Sequence, residues 1–154
     1  MDIQTILANL KIEQLNVMQQ TAVDAYREGG DLVLLSPTGS GKTLAYLLPL
    51  VSSLKLGQQG VQAVILVPSR ELALQIEQVF KSMNTEFKIM SCYGGRPAMD
   101  EHRTMKGICP SVIVGTPGRM NDHLEKQNFD ASTVKLLVCL LYTSPSPRDR
   151  SLSR

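Results

Sequence analysis

Leu32-Val33-Leu34-Leu35-Ser36-Pro37-Thr38-Gly39-Ser40-Gly41-Lys42-Thr43 is the stretch whose reading decides the fold. The apolar run Leu32 to Leu35 has the length and branching of a buried parallel strand. It leads into a turn holding Pro37, Gly39 and Gly41, and Lys42-Thr43-Leu44 opens an apolar helical stretch. Strand, glycine loop, Gly-Lys-Thr and helix is the arrangement of a phosphate-binding P-loop. Glycines let backbone N–H groups close around phosphate oxygens, and the helix N-terminus adds its positive dipole end. Lys42 can then reach the β- and γ-phosphates of a nucleoside triphosphate, and the Thr43 hydroxyl can sit on Mg²⁺. The strict pattern asks for glycine where Ser36 stands. The plain alternative is a glycine turn with Lys42 solvated. The expected strand before and helix after favour the triphosphate site.

The chain has 154 residues, enough for one α/β domain with a proper core but not for two. No stretch is long and apolar enough to span a bilayer, and Met1-Asp2-Ile3-Gln4 carries no signal-peptide pattern. Cys92, Cys109 and Cys139 are odd in number and widely spaced, which reads as reduced thiols in a cytoplasmic protein rather than a zinc site. The net charge is +2. Arg148, Arg150, Arg154 and Asp149 account for all of it, and positions 1–138 are neutral. Binding to a phosphate backbone must therefore come from local groups, not from a global field.

Apolar residues at 3–4 spacing predict helices over 3–9 and 13–28, the second stopped by Gly29-Gly30. A helix is expected from Lys42, and a loop between Gly57 and Gly60. Ala63 to Val67 reads as a buried strand stopped by Pro68, followed by a helix from Arg70 to about Met83. Phe87 to Tyr93 is a third strand ending at Gly94-Gly95. Arg96 to Lys106 reads as a polar helix stopped by Gly107. Ser111 to Val114 is a fourth strand. Thr116 is then a good N-cap, with Pro117 at the first position of a helix to about Lys126. A fifth strand starts at Val134. Strands alternating with helices imply a mostly parallel, doubly wound α/β sheet with helices on both faces, whose ligands gather at the carboxyl ends of the strands. Thr143 to Arg154 lacks apolar periodicity and is expected to be disordered.

Gly94-Gly95, Thr116-Pro117 and Arg70-Glu71 taken singly are a turn, a helix start and an ion pair. Their order says more. Pro68-Ser69-Arg70-Glu71-Leu72-Ala73-Leu74-Gln75 resembles the P-T-R-E-L-A-x-Q segment of DEAD-box RNA helicases, with Ser69 for threonine. Tyr93-Gly94-Gly95 resembles that family's glycine doublet, and Val114 to Arg119 its T-P-G-R motif. Ser36 to Thr43 resembles its A-x-T-G-x-G-K-T P-loop, with Ser36 for alanine. The resemblance covers about residues 1–138 and implies a RecA-like domain that binds ATP and Mg²⁺. It further implies that Pro68, Ser69, Arg70, Glu71, Gly94, Gly95, Thr116, Pro117, Gly118 and Arg119 hold single-stranded RNA by its phosphates and sugars. Glycine doublets and a helix N-terminus offer N–H groups for that purpose, and Arg70 and Arg119 offer charge-assisted bonds. Such contacts fix register without reading sequence. Gln19 stands at the spacing of the family's adenine-reading glutamine, whose amide can pair bidentately with adenine. The flanking run is Leu15-Asn16-Val17-Met18 rather than the family's, and the upstream aromatic has no counterpart. His102 and His123 match no family motif and are expected on the surface.

The chain leaves the pattern where the family's Asp-Glu-Ala-Asp motif is due. Val138 is followed by Cys139-Leu140-Leu141-Tyr142-Thr143-Ser144, with no acid before Asp149. In the family those carboxylates hold Mg²⁺ through water and activate the attacking water. Cys139 to Asp149 resembles the in-frame translation of a transposase mosaic-end sequencing adaptor, so 139–154 is expected to be a non-native tail. The competing expectation is a natural, divergent tail. Three functional readings remain: a cut-short helicase ATPase domain whose parent carries a second RecA-like domain, a module that binds ATP or RNA without turnover, and an unrelated P-loop phosphotransferase. The helicase-like segments argue against the third.

Overall fold

The computed structural model describes residues 2–36 and 41–141. Its elements in chain order are α1 (Ile3–Asn9), α2 (Val17–Glu28), α3 (Lys42–Ser53), β1 (Ala63–Leu66), α4 (Arg70–Ser82), β2 (Ile89–Cys92), α5 (Ala98–Ile108), β3 (Val112–Gly115), α6 (Pro117–Glu125), a 3-10 turn at Ala131–Thr133, and β4 (Leu136–Cys139). The four strands form one parallel sheet in the order β2-β3-β1-β4.

Alternation along the strands sorts the core into two layers, because successive side chains point to opposite faces. Ala63, Ile65, Val112, Val114 and Ile89 join Leu47, Leu50, Ile76 and Phe80 on one face, beneath α1 to α4. Val64, Ile113, Met90 and Cys92 join Met105 and Met120 on the other, beneath α5 and α6. Helices therefore cover both faces of a parallel sheet, the doubly wound α/β arrangement. Helix α4 shows how sequence sets the layer: Ala73, Ile76 and Phe80 recur on one side and are buried, while Gln75 and Gln78 face solvent. Burying a side chain such as Phe80 contributes about 1.5–3 kcal/mol. Ser69 starts the helix by accepting from the Leu72 N–H at 3.2 Å, so serine serves the cap as threonine would.

Several boundaries differ from expectation for local reasons. The run Leu32 to Leu35 forms no strand; Val33 is 82% and Leu35 89% exposed. An apolar run becomes a strand only when laid against a neighbour. Both edges of β1 are taken by β3 and β4, and the run joins neither β2 nor β4 at the sheet's outer edges. Helix α2 begins at Val17 rather than 13, because Asn16 and Gln19 form a reciprocal capping box there. Gly107 lies inside α5, and the stop is Cys109, which takes the left-handed conformation at φ 52°. Thr116 does occupy the N-cap of α6, but its side chain makes no capping bond. Strand β4 covers only Leu136–Cys139 of the fifth strand expected from Val134.

Candidate functional site

The registers place the last residues of all four strands in one row. Cys92 aligns with Gly115, Gly115 with Leu66, and Leu66 with Cys139. Of the four segments singled out in the sequence, Ser36 to Thr43 follows no strand. The other three begin just past that row: Pro68 to Glu71 after β1, Gly94-Gly95 after β2, Thr116 to Arg119 after β3. Their strands are immediate neighbours, so three motifs separated along the chain share one edge of the sheet. Backbone bonds tie the loops together, Thr116 N–H donating to Cys92 O at 3.1 Å and Val67 N–H to Gly115 O at 2.9 Å. Gly115 has to be glycine. A Cβ there would lie 2.8 Å from the Cys92 carbonyl oxygen and 2.7 Å from Met120 Sδ.

Aromatic and cationic groups gather over this edge. The Arg70 guanidinium lies 4.8 Å from the centre of the Tyr93 ring, and that of Arg96 lies 5.7 Å from it. Both arginines are exposed at the surface, with Gly94 and Gly95 beside them. Gly95 has φ 108°, a conformation side chains disfavour, with the Arg70 Nη1 close to where a Cβ would stand. Arg119 behaves differently. Its side chain is only 11% exposed and its Nη2 donates to the Arg96 carbonyl at 2.8 Å. Its charge faces inward.

Glu101, on α5 and fully buried, receives that charge. Its Oε1 accepts from His123 Nε2 at 2.8 Å and lies 3.5 Å from Arg119 Nη1. Its Oε2 accepts from the Tyr93 N–H at 2.9 Å and lies 3.5 Å from Arg96 Nε. Asn128 Nδ2 donates to His123 Nδ1 at 2.8 Å, which leaves the His123 proton on Nε2, facing the carboxylate. His123 is thus a core residue, not a surface one: a polar ring can be buried when both nitrogens are bonded. His102 is half-buried. Neither Glu101 nor Arg96 was marked by the motifs. For Glu101 the signal lay in its spacing to Met105, the two forming the inward stripe of an otherwise polar helix; for Arg96, which precedes that helix, the sequence carried none.

Cys92, Glu101 and His123 bring ligating atoms within 4.8 Å of one another. The chemistry is poor for a metal. Burial, helped by the Glu101 charge, pushes the Cys92 thiol up to about 12, and the carboxylate already faces two guanidinium groups.

On the nucleotide side, Pro37, Thr38, Gly39 and Ser40 lie outside the described residues. Ser36 and Gly41 flank them, and Gly41 takes φ 80° at the N-cap of α3. Lys42 and Thr43 fill the first two positions of that helix, at its positive end. Gln19 is buried. Its Nε2 donates to the Gly41 carbonyl at 3.2 Å and its Oε1 accepts from the Asn16 N–H at 3.0 Å. Among the described residues, the amide's second proton and second lone pair have no partner. Burial pushes the Tyr46 hydroxyl up to about 12, with the nearby Thr43 side chain acting the other way. For Mg²⁺ the described donors are few. Thr43 offers a hydroxyl, but after Val138 stand Cys139, Leu140 and Leu141, with no carboxylate among them.

The DEAD/DEAH box helicase family model matches residues 16–139. The chain belongs to that family. It is 36% identical over 136 residues to the ATP-dependent RNA helicase DeaD of Mycobacterium tuberculosis, covering 86% of this chain and 24% of the relative. It is 37% identical over 140 residues to the ATP-dependent rRNA helicase RRP3 of Candida albicans, covering 89% and 26%. With the ATP-dependent RNA helicase CshA of Listeria monocytogenes it shares 34% over 128 residues, covering 82% and 24%. The chain thus spans about a quarter of the length of these curated relatives. Membership in a DEAD/DEAH box family sets aside the unrelated phosphotransferase.

Proposed function

We propose that the chain is the N-terminal RecA-like portion of an ATP-dependent RNA helicase, binding ATP through Ser36 to Thr43 and Gln19, and the RNA backbone through the loops after β1, β2 and β3. The observation that carries this reading is the shared row at which those three strands end, which puts Arg70, Gly94-Gly95 and Thr116-Gly118 along one edge. Backbone N–H groups and two arginines on a tyrosine face suit phosphate and ribose rather than base edges, so binding should tolerate any sequence. RNA over DNA rests on the relatives' names. The whole parent would add a second RecA-like domain and couple ATP hydrolysis to duplex unwinding.

The test is titration of the purified chain with a labelled single-stranded RNA at several salt concentrations. Binding should weaken as salt rises, by a slope of about 0.7 per neutralised phosphate. Absent or salt-independent binding would refute the reading.

The second reading, a module that binds without turnover, is favoured by the missing carboxylates after Val138. It depends on whether Cys139 to Arg154 is native. We infer that it is not, on its likeness to translated adaptor. The pairing of Cys139 with Leu66 is backbone-made and would accept any residue there. Sequencing the source DNA across codon 138 decides: a frame continuing into Asp-Glu-x-Asp supports the helicase parent, and a genomic Cys139-to-Arg154 tail supports the module.

A further inference from the structure

We propose that Glu101 is the positioning residue of the RNA face: one buried carboxylate sets the glycine-doublet loop and the T-P-G-R helix relative to each other, and aims Arg96 outward as a phosphate contact. The inference rests on the RNA-binding reading above and adds two residues to it, and it gives Arg119 a bracing role in place of a direct one.

The geometry carries the argument. Each oxygen of Glu101 serves one short N–H contact and one guanidinium, Oε1 facing α6 through His123 and Arg119, Oε2 facing the β2 loop through Tyr93 N–H and Arg96. Arg119 closes the ring by donating to the Arg96 carbonyl. The Arg119 side chain, 11% exposed, is enclosed, whereas that of Arg96 is 41% exposed. Arg96 also lies over the Tyr93 ring, as Arg70 does, so two guanidinium groups approach one aromatic ring beside Gly94-Gly95. An unpaired carboxylate would not stay buried, so the pairing and the loop arrangement are conditional on each other. A guanidinium held by its Nε keeps its outer N–H groups free for a phosphate.

Charge and position predict opposite signs, which makes the test sharp. Removing a negative charge near an RNA site tightens binding if only the field matters. Removing the residue that sets the loops weakens it. Glu101→Gln keeps the shape and can still accept from Tyr93 N–H, but it puts an amide donor or a neutral oxygen against the arginines. Asp100→Asn makes the same charge change one residue away, on an exposed carboxylate.

The experiment is anisotropy titration of the 154-residue chain with a labelled oligouridylate of about ten nucleotides, a length within the usual site sizes. Glu101→Gln should weaken binding about tenfold and lower the salt slope by about 0.7 for the lost Arg96 contact. Asp100→Asn should bind as the parent does or slightly tighter. A folded Glu101→Gln variant that binds equally or more tightly overturns the proposal.

Exchange of the arginine Nε protons, followed by NMR on the unmodified chain, is a second readout that needs neither RNA nor a stable variant. The Arg119 proton should exchange far more slowly than that of Arg27, whose side chain is 67% exposed. Equal rates overturn the brace. If the parent chain binds no oligouridylate while Arg119 stays protected, the RNA reading falls and with it the role assigned to Arg96, and the brace alone survives.

Discussion

Gln19 and Gly41 are joined by a hydrogen bond of 3.2 Å from the amide Nε2 to the carbonyl oxygen, tying the start of α2 to the start of α3. The same side chain completes the capping box with Asn16, and a Cβ at Gly41 would lie 2.6 Å from its nitrogen. Gln19 therefore holds Gly41 at the start of α3 as well as capping α2. Gln19→Ala loses the side-chain bonds to the Asn16 N–H and the Gly41 carbonyl, should cost about 0.5–1.5 kcal/mol of stability for each, and should weaken ATP binding. Thermal melts and competition with a fluorescent nucleotide measure the two. Unchanged ATP affinity in a folded variant would count against the adenine-side role.

Gly115 sets how closely β2, β3 and α6 approach. The Cys92 carbonyl is backbone and cannot swing away from an added methyl, and Met120 is buried on the other side. Gly115→Ala should destabilise by about 1–3 kcal/mol, the usual cost of overpacking. Urea unfolding at fixed m-value gives the number, and a midpoint matching the parent would show that the strands yield.

Much of this was legible beforehand. The parallel α/β class followed from the alternation of elements, and the shared edge from three motifs that each trail a strand. What the sequence hid was partnership. Leu32 to Leu35 has every local mark of a strand, yet strand status depends on a neighbour to pair with. His123 sits in a polar helix, and its burial depends on Glu101 and Asn128, which lie 22 and 5 residues away. A buried polar ring can be read from sequence only once its partners are known.

The three thiols should separate by reactivity. Cys109 and Cys139 are exposed and Cys92 is buried. Burial is the first cause lifting Cys92 from 9.0 to about 12, so at pH 8 it stays a thiol and does not attack. A disulfide reagent should titrate two groups in the native chain and a third after denaturation. The sign with pH also follows. Between about 9 and about 12 the folded state holds a proton that the unfolded state releases, so stability falls across that window and is flat below it for this group. Rapid native labelling of Cys92 would contradict the packing.

Val33 and Leu35 are exposed on a segment paired with no strand, and the outer edge of β4 carries a half-exposed Leu137. Apolar surface beside an unpaired edge invites association. Val33→Lys should leave the melting temperature nearly unchanged, since exposed substitutions usually fall within about 0.5 kcal/mol. It should also lower light scattering at high protein concentration. Scattering that stays the same would move the cause of any aggregation elsewhere.

Binding and turnover of ATP should come apart in this chain. Lys42 begins α3, where in the proposed reading the helix dipole and an ammonium group would act on the same phosphates. Lys42→Ala should weaken ATP by about 1.5–3 kcal/mol, the range for hydrogen bonds to charged groups. Hydrolysis needs more than that cradle. A general base is typically worth about 10²–10⁴-fold in rate, and the stretch after Val138 offers Cys139, Leu140 and Leu141 where a carboxylate would be needed. We expect phosphate release from ATP to stay at the buffer rate with or without RNA, and no strand displacement from a duplex. Lys42→Ala should then change nucleotide affinity while leaving that background rate alone. RNA-stimulated phosphate release that Lys42→Ala abolishes would show that this chain supplies a base from somewhere else.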